Sequence, residues 1–201
     1  MINGLIAVIV AYFVGGIPFG LLIVRLTTGT DVREVGSGNI GATNVLRAAG
    51  KLESVLTLLL DAAKGWFAVW LADYLTQGSV LWMSFTALAV LLGHVFSPYL
   101  KFKGGKGVAS FVGAFGYLTP LPALIITIIF VLVVAKTRYV ALGSVSGAVL
   151  FPFACFIILH PEWPVLVAAT GAGALVFWRH GDNIALLRSG DEDKINLGRR
   201  S

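Results

Sequence analysis

Residues 3–24 read NGLIAVIVAYFVGGIPFGLLIV, a run without a single charged side chain. In an α-helix, which rises about 1.5 Å per residue, about 20 apolar residues cover the roughly 30 Å of hydrocarbon in a bilayer. Arg25 is the first cation of the chain, whereas a cleavable signal peptide carries its positive charge before the apolar stretch. The run therefore predicts a retained membrane helix, which sets the class of the fold.

The rest of the chain has the composition of a membrane protein. Of its 201 residues, 57% are hydrophobic and 12% are charged, whereas a soluble domain is about a quarter charged. The single cysteine, Cys155, lies in an apolar run, which excludes an internal disulfide and makes a zinc or thiol site unexpected. Further apolar runs occupy residues 54–72, 80–98, 121–135, 140–159 and 163–178. We therefore predict an all-α integral membrane protein in which residues 1–201 form a single domain.

A shorter apolar run, VASFVGAFGYLT at residues 108–119, would be the fourth helix. It is too short to cross the bilayer unaided, so we expect a helix with a buried or thinned end, or a re-entrant segment. Counting it gives a bundle of seven transmembrane helices in which the fourth is short. A five-pass bundle without the hairpin at 108–135 is the alternative.

The basic residues indicate how this bundle is oriented. In a seven-pass bundle the connections at 73–79, 119–122 and 160–164 contain no Lys or Arg, and all 15 basic residues lie on the opposite side. Because Lys and Arg concentrate on the cytoplasmic side of a membrane, we predict the N-terminus outside and the C-terminus inside. The net charge of +5 then reflects membrane topology, and no nucleic-acid partner is expected.

The longest segment outside the apolar runs, residues 25–53, contains VGSGNIGATN at 35–44. Its glycines match the dinucleotide fingerprint G-x-G-x-x-G, but that fingerprint joins a strand to a helix, and here a polar segment follows a membrane helix. Glycines still leave backbone N–H groups free to bind an anion. We predict a phosphate site here rather than a simple polar turn. The residues offered for it are Gly36, Ser37, Gly38, Asn39, Gly41, Thr43, Asn44 and Arg47.

A second loop, GHVFSPYLKFKGGKGV at residues 93–108, precedes the short helix. It is not a Walker A loop, because no glycine stands five residues before Gly105 and Gly107 replaces the Ser or Thr that would hold magnesium. Lysines and glycines at a helix N-terminus still predict an anion site. Lys101 and Lys103 are expected at lipid headgroups. Lys106, with Gly104 and Gly105 before it, is expected in the site.

A third polar patch, RHGDN at residues 179–183, follows the last apolar run. His180 and Asn183 are spaced i, i+3 and share a face if the helix continues. A lone histidine at a membrane boundary is more often interfacial than catalytic, but two phosphate-binding loops on the same side favour a functional role. We assign no such role to His160, which lies outside, or to His94, which is expected to satisfy a helix end.

Two further polar features lie within apolar runs. Asp61 and Lys64 form an i, i+3 pair, and ionisable groups at such positions are costly unless they are paired or face a polar cavity. The pair is therefore either a structural ion pair or part of the site wall. Ser144 is a candidate for the same cavity, with helix packing as the alternative.

Together these pieces resemble the acyl-phosphate-dependent glycerol-3-phosphate acyltransferase family of bacterial membranes. The matching motifs are GSGNIGATN with Arg47, DAAKG, GHVFSPYLKFKGGKGVA and RHGDNI, in the same order over essentially the whole chain. The resemblance implies a seven-helix enzyme that transfers an acyl group from acyl phosphate to the 1-position of sn-glycerol 3-phosphate. Lysophosphatidic acid is then released into the bilayer for phospholipid synthesis.

The resemblance also implies a location and partners. The enzyme would lie in the bacterial cytoplasmic membrane with its active site facing the cytoplasm, in contact with membrane lipids. A soluble enzyme that makes acyl phosphate from acyl carrier protein is the implied protein partner. No cofactor and no metal are expected.

The resemblance assigns the site residues as well. The catalytic residues it implies are Ser37, Lys106 and His180. It implies substrate and phosphate binding for Asn39, Asn44, Arg47, Ser144 and Asn183, and the argument from backbone amides adds Gly36, Gly38, Gly104 and Gly105 as phosphate-binding residues. The H-x-x-x-x-D motif of acyl-CoA acyltransferases is absent, since Tyr99, Val165 and Ala185 stand five residues beyond the three histidines.

The residue types suit direct transfer of the acyl group. Acyl phosphate is already activated, so positioning and charge neutralisation by Arg47 and Lys106 could supply most of the rate. We expect His180 to orient the acceptor or act as base, with a substrate phosphate oxygen as the competing base. The alternative function is a membrane transporter for an anionic phosphorylated solute. It is disfavoured because we find no internal repeat and the polar motifs lie on one side of the membrane.

Overall fold

The computed structural model describes residues 1–195, which contain α-helices, 3₁₀ turns and loops but no strand. The predicted all-α fold is therefore confirmed for this part of the chain. The last two basic residues, Arg199 and Arg200, lie outside the described range. The helices are α1 (Ile2–Gly16), α2 (Phe19–Thr28), α3 (Ala42–Ala48), α4 (Lys51–Thr76), α5 (Val80–Val95), α6 (Val108–Leu118), α7 (Pro120–Thr137), α8 (Val140–Leu159), α9 (Trp163–Arg179) and α10 (Gly181–Ser189).

Within residues 1–195, five segments are long and apolar enough to cross a membrane. They are Ile2–Thr28, which contains α1 and α2, then Lys51–Thr76, Val80–Leu100, Pro120–Thr137 and Val140–Leu159. The shorter apolar helices α6 and α9 have 11 and 17 residues. Each predicted apolar run is thus helical, while the count of seven crossings and the orientation stay predictions.

The first run differs from the single helix expected over residues 3–24. The structure breaks it between Ile17 and Pro18, because proline has no N–H to donate to the preceding turn. Just beyond the break, a Cβ on Gly20 would lie 2.0 Å from the carbonyl oxygen of Ile40. The loop at residues 35–44, for which a phosphate site was predicted, thus lies against the membrane bundle at this break. The Ile17 carbonyl accepts a hydrogen bond from Lys64 of α4.

The centre of the bundle is a tightly packed apolar core that fixes α6. The rings of Phe111, Phe115 and Phe151 contact one another with centroid separations of 4.7–4.8 Å. A Cβ on Gly113 of α6 would lie 1.8 Å from the Ala62 carbonyl of α4, so only glycine allows these two helices to approach so closely. This contact holds the N-terminus of α6, and with it the lysine-rich loop, at a defined depth.

Candidate functional site

The three predicted loops converge at one end of the bundle, where they border two adjoining cavities. The smaller, of about 470 Å³, is called here the phosphate cavity after the phosphate site predicted from the sequence, and the larger, of about 1000 Å³, the basic vestibule. Predicted residues around the phosphate cavity are Gly36, Ser37, Asn39, Asn44, Arg47, Lys106, Ser144, His180 and Asn183. Gly38 and Gly104 border the vestibule, and Ser37, Asn39, Lys106 and Asn183 border both. The structure thus brings nearly all the predicted residues together.

Asn44 organises the first loop from within. It is 2% exposed, and its Oδ1 accepts a hydrogen bond from the Ser37 N–H at 3.1 Å. Its two Nδ2–H groups are shared among the carbonyls of Val32, Val35 and Asn39, each 2.9 Å from Nδ2. Gly36 adopts a φ of +53°, and a Cβ there would lie 2.5 Å from Asn44 Oδ1. Asn44 therefore sets the loop conformation, because its amide bonds the backbone of the loop at four residues.

The remaining members of the first loop face the cavities. Ser37 is exposed at both, while Asn39 Oδ1 accepts a hydrogen bond from the Gly41 N–H at 2.9 Å. Arg47 lies in the last turn of α3, and its guanidinium forms an ion pair with Asp193 at 3.2 Å. The loop thus presents a hydroxyl and a guanidinium to the same space.

Gly104 and Gly105 are buried spacers between α5 and α9. Their N–H groups donate to the carbonyls of Val95 and His94 at 2.9 and 3.1 Å, and Arg179 donates to both of their carbonyls at 3.2 and 3.3 Å. These amides are engaged inside the protein, so Lys106 is the group of this loop that remains a candidate for binding phosphate.

Lys106 projects from this anchored loop. Its Nζ donates a hydrogen bond to Asn183 Oδ1. Burial lowers the pKa of its ammonium group, although the nearby Glu192 carboxylate acts in the opposite direction. The site therefore holds a partly desolvated cation whose interaction with a phosphate is stronger than in water.

His180 lies at the junction between α9 and α10, where the helix ends and restarts instead of continuing as the i, i+3 argument assumed. Its Nδ1 lies 2.7 Å from the Val176 carbonyl. Since a carbonyl only accepts, we assign the proton of the neutral ring to Nδ1, and Nε2 is then an acceptor. Burial lowers the pKa of His180 to about 4, and the cations Lys106 and Arg179 act in the same direction. The imidazole is therefore neutral at pH 7.

Asn183 and Ser144 complete the predicted set. Asn183 accepts from Lys106 and donates through Nδ2 to Glu192 Oε1 at 2.7 Å. Ser144 lies in the first turns of α8 and donates to the Val140 carbonyl at 3.0 Å, which leaves its oxygen as an acceptor at the cavity wall.

Sequence reasoning missed several residues that border the phosphate cavity. His94 is part of its wall, and so is Asp61, for which a place in the site wall was only one of two alternatives. Asp61 also forms a buried ion pair with Lys64 at 2.6 Å, so Asp61 is both an ion-pair partner and part of the wall. Three acidic residues of the tail, Asp191, Glu192 and Asp193, border the cavity too. The run of three acids in an otherwise basic tail was the available signal.

Known proteins are similar in sequence to this chain over nearly its full length. Residues 5–190 match the family described as "Glycerol-3-phosphate acyltransferase". A protein of that name from Methylobacillus flagellatus is 42% identical over 201 residues, covering 99% of this chain and 100% of its own. Another of the same name, from Geobacter sulfurreducens, is 44% identical over 196 residues, covering 97% and 99%.

Solved structures agree with the sequence relatives. The glycerol 3-phosphate form of PlsY (YgiH), an integral membrane glycerol 3-phosphate acyltransferase, matches with a TM-score of 0.90 and 38% identity over 96% of each chain. Its lysophosphatidic acid form matches with a TM-score of 0.87 and 36% identity over 96% and 95%. With this coverage and identity, the chain belongs to the glycerol-3-phosphate acyltransferase family.

Proposed function

We propose that this acyltransferase takes its acyl group from acyl phosphate, places it on the 1-hydroxyl of sn-glycerol 3-phosphate and releases lysophosphatidic acid. The observation that carries this proposal is the pair of adjoining cavities that share Ser37, Lys106 and Asn183. Donor and acceptor each end in a phosphate, and transfer requires both phosphates close to one reacting hydroxyl. Two cation-lined spaces that meet at a common wall suit that requirement.

The charges of the site suit two phosphates. Arg47 and Lys106 border the phosphate cavity. The guanidinium group of an arginine can donate two parallel hydrogen bonds to two oxygens of one phosphate. The basic vestibule adds five further cations: Arg25, Arg33, Lys101, Lys103 and Arg179. Arg25 and Arg33 are paired with Asp31, but the remaining positive charge still favours the binding and close approach of two anions.

The proposed chemistry is a direct displacement. The 1-hydroxyl oxygen attacks the acyl carbonyl carbon, the new ester bond forms, and the bond between that carbon and the phosphate oxygen breaks. Arg47 and Lys106 stabilise the charge that develops on the carbonyl and leaving-group oxygens. Within residues 1–195 no serine hydroxyl is hydrogen-bonded to His180, which supports transfer without a covalent acyl-enzyme.

His180 orients the attacking hydroxyl in this proposal. Its unprotonated Nε2 accepts the hydrogen bond of the 1-hydroxyl, while the bond from Nδ1 to Val176 fixes the ring. With a pKa of about 4 before substrate binds, the imidazole is a weak base compared with a phosphate oxygen. As the ester bond forms, the hydroxyl proton moves from this hydrogen bond to an oxygen of the departing phosphate, which leaves as hydrogen phosphate, so that the atoms and charges balance.

The proposed setting is the bacterial cytoplasmic membrane. Seven crossings with the N-terminus outside and the C-terminus inside would put all the basic loops on the cytoplasmic side, as the positive-inside rule requires. A soluble enzyme that forms acyl phosphate could then deliver the donor from the cytoplasm. Leu58, Phe130 and Val140 also border the phosphate cavity, and they offer an apolar surface for the acyl chain.

The test uses purified protein in detergent with defined donors. Acyl phosphate and glycerol 3-phosphate should give lysophosphatidic acid and inorganic phosphate in equal amounts, whereas acyl-CoA and acyl carrier protein should give none. Product from acyl-CoA alone would contradict the proposed donor. Absence of product from every donor, together with glycerol 3-phosphate uptake in proteoliposomes, would favour the transporter instead.

A further inference from the structure

We propose that His94 is a positioning residue for Lys106, a role that rests on the phosphate-binding function proposed for that lysine. His94 belongs to a buried polar cluster, defined here as Asp61, Lys64, His94 and Ser110. Through this cluster the imidazole fixes the Gly104–Gly105 segment against the bundle. Because this segment directly precedes Lys106, its position sets the direction in which Lys106 enters the phosphate cavity.

The cluster joins three membrane helices. His94 Nδ1 lies 3.2 Å from Ser110 Oγ on α6 and 3.7 Å from Asp61 Oδ1 on α4. Lys64 Nζ pairs with Asp61 at 2.6 Å and donates to the Ile17 carbonyl, at the break between α1 and α2, at 2.8 Å. His94, in the last turn of α5, is thus held at a point where α4, α5 and α6 meet near the break between α1 and α2.

The other side of the imidazole faces the lysine loop. A Cβ on Gly105 would lie 2.3 Å from His94 Nε2, so the ring touches the loop backbone and leaves no room for a side chain there. The His94 carbonyl also accepts the Gly105 N–H at 3.1 Å. Both the ring and the main chain of one residue therefore set the position of Gly105, the residue before Lys106.

Stability alone gives little reason for such a cluster. Ionisable groups inside a membrane bundle are costly, and a buried ion pair can often be replaced by apolar side chains without loss of stability. The cluster does, however, border the phosphate cavity through Asp61 and His94. The Asp61–Lys64 pair also keeps that wall neutral overall, so the carboxylate does not repel an incoming phosphate.

The experiment removes the His94 ring, adds a methyl group at Gly105, and combines the two changes. We compare His94→Ala, Gly105→Ala, the double variant and His94→Asn, measuring kcat, KM for glycerol 3-phosphate and thermal stability in detergent. Each single alanine variant should lower kcat/KM by on the order of 10- to 100-fold, because small displacements of a charged group reduce rates by such factors. The double variant should be no worse than His94→Ala, since the added methyl occupies the space that the ring vacates. His94→Asn should recover most activity by keeping a polar contact with Ser110.

Two controls separate positioning from folding and from the proposed function. Val165→Ala opens a space in the apolar core at the first turn of α9, the opposite end of that helix from His180, and it should lower stability while leaving KM unchanged. Near-normal kcat/KM in His94→Ala, or losses in the double variant that simply multiply, would overturn the positioning role. Lys106→Met should be severely impaired. If it is impaired while His94→Ala is normal, only the positioning role fails; if Lys106→Met is fully active, the proposed phosphate site fails as well.

Discussion

The acidic tail of the chain makes a quantitative prediction about substrate affinity. Asp193 pairs with Arg47 at 3.2 Å, inside the space that a phosphate is proposed to occupy. A phosphate that binds Arg47 must displace this carboxylate. Asp193→Asn removes the competing charge, so it should lower the KM for glycerol 3-phosphate.

The size of this effect follows from the exposure of the pair. The Arg47 and Asp193 side chains are 33% and 77% exposed, and ion pairs this open to water contribute about 0.2–1 kcal/mol. Since about 1.4 kcal/mol corresponds to a factor of ten, the KM should fall by at most about fivefold. At an ionic strength near 1 M, where screening acts over roughly 3 Å, the difference should largely vanish.

Initial rates against glycerol 3-phosphate at low and high salt test this prediction. Asp191→Asn is the matched control, because Asp191 borders the same cavity and belongs to the same tail but forms no ion pair with the described residues. It should change the KM less than Asp193→Asn does. A higher KM in Asp193→Asn would refute the competition, since the carboxylate would then be holding Arg47 in its binding position.

Three further predictions concern the groups that shape the site. Asn44→Ala should lower the free energy of unfolding by about 1–3 kcal/mol, because it leaves buried backbone groups unpaired. It should also raise the KM for glycerol 3-phosphate, and thermal melts and initial rates on the same variant measure the two effects. Lys64→Met should destabilise by about 3–5 kcal/mol because Asp61 is left buried and unpaired, and Asp61→Asn in the same chain should restore much of the loss in a thermal melt. His180 has a folded-state pKa lowered to about 4, so the unfolded state gains its proton first as the pH falls. Stability should therefore be unaffected above about pH 6.5 and fall by about 3 kcal/mol towards pH 4, and His180→Asn should flatten that slope in melts measured between those pH values.

The helical bundle could be predicted from sequence because the bilayer allows few alternatives. An apolar run in lipid must satisfy its own backbone hydrogen bonds, so length and composition almost determine that it is a helix. The break at Ile17 and Pro18 was missed because both residues are apolar and do not interrupt the run. Composition thus predicts where a helix lies, but it does not show that Pro18 interrupts this one or that Lys64 of α4 bonds the Ile17 carbonyl at the break.

The lining of the candidate site could be predicted wherever charged residues and glycines are adjacent in the chain. Arg47, Lys106 and His180 belong to short polar segments between apolar runs, and such segments stand out. The roles of Gly104 and Gly105 were harder to predict, because their N–H groups are bonded to carbonyls at the end of α5. A glycine pattern alone does not distinguish an amide that binds a ligand from one that supports a loop.

His94 shows why the remaining part of the site could not be read from the chain. Its contacts are Ser110, 16 positions away, Asp61 on another helix, and the backbone of Gly105. Each of these residues alone has an ordinary interpretation as a helix end, a packing serine, an ion pair or a tight turn. Only the fold brings them together beside the phosphate cavity, which Asp61 and His94 border, and there the role proposed for them is to hold the neighbouring lysine in place.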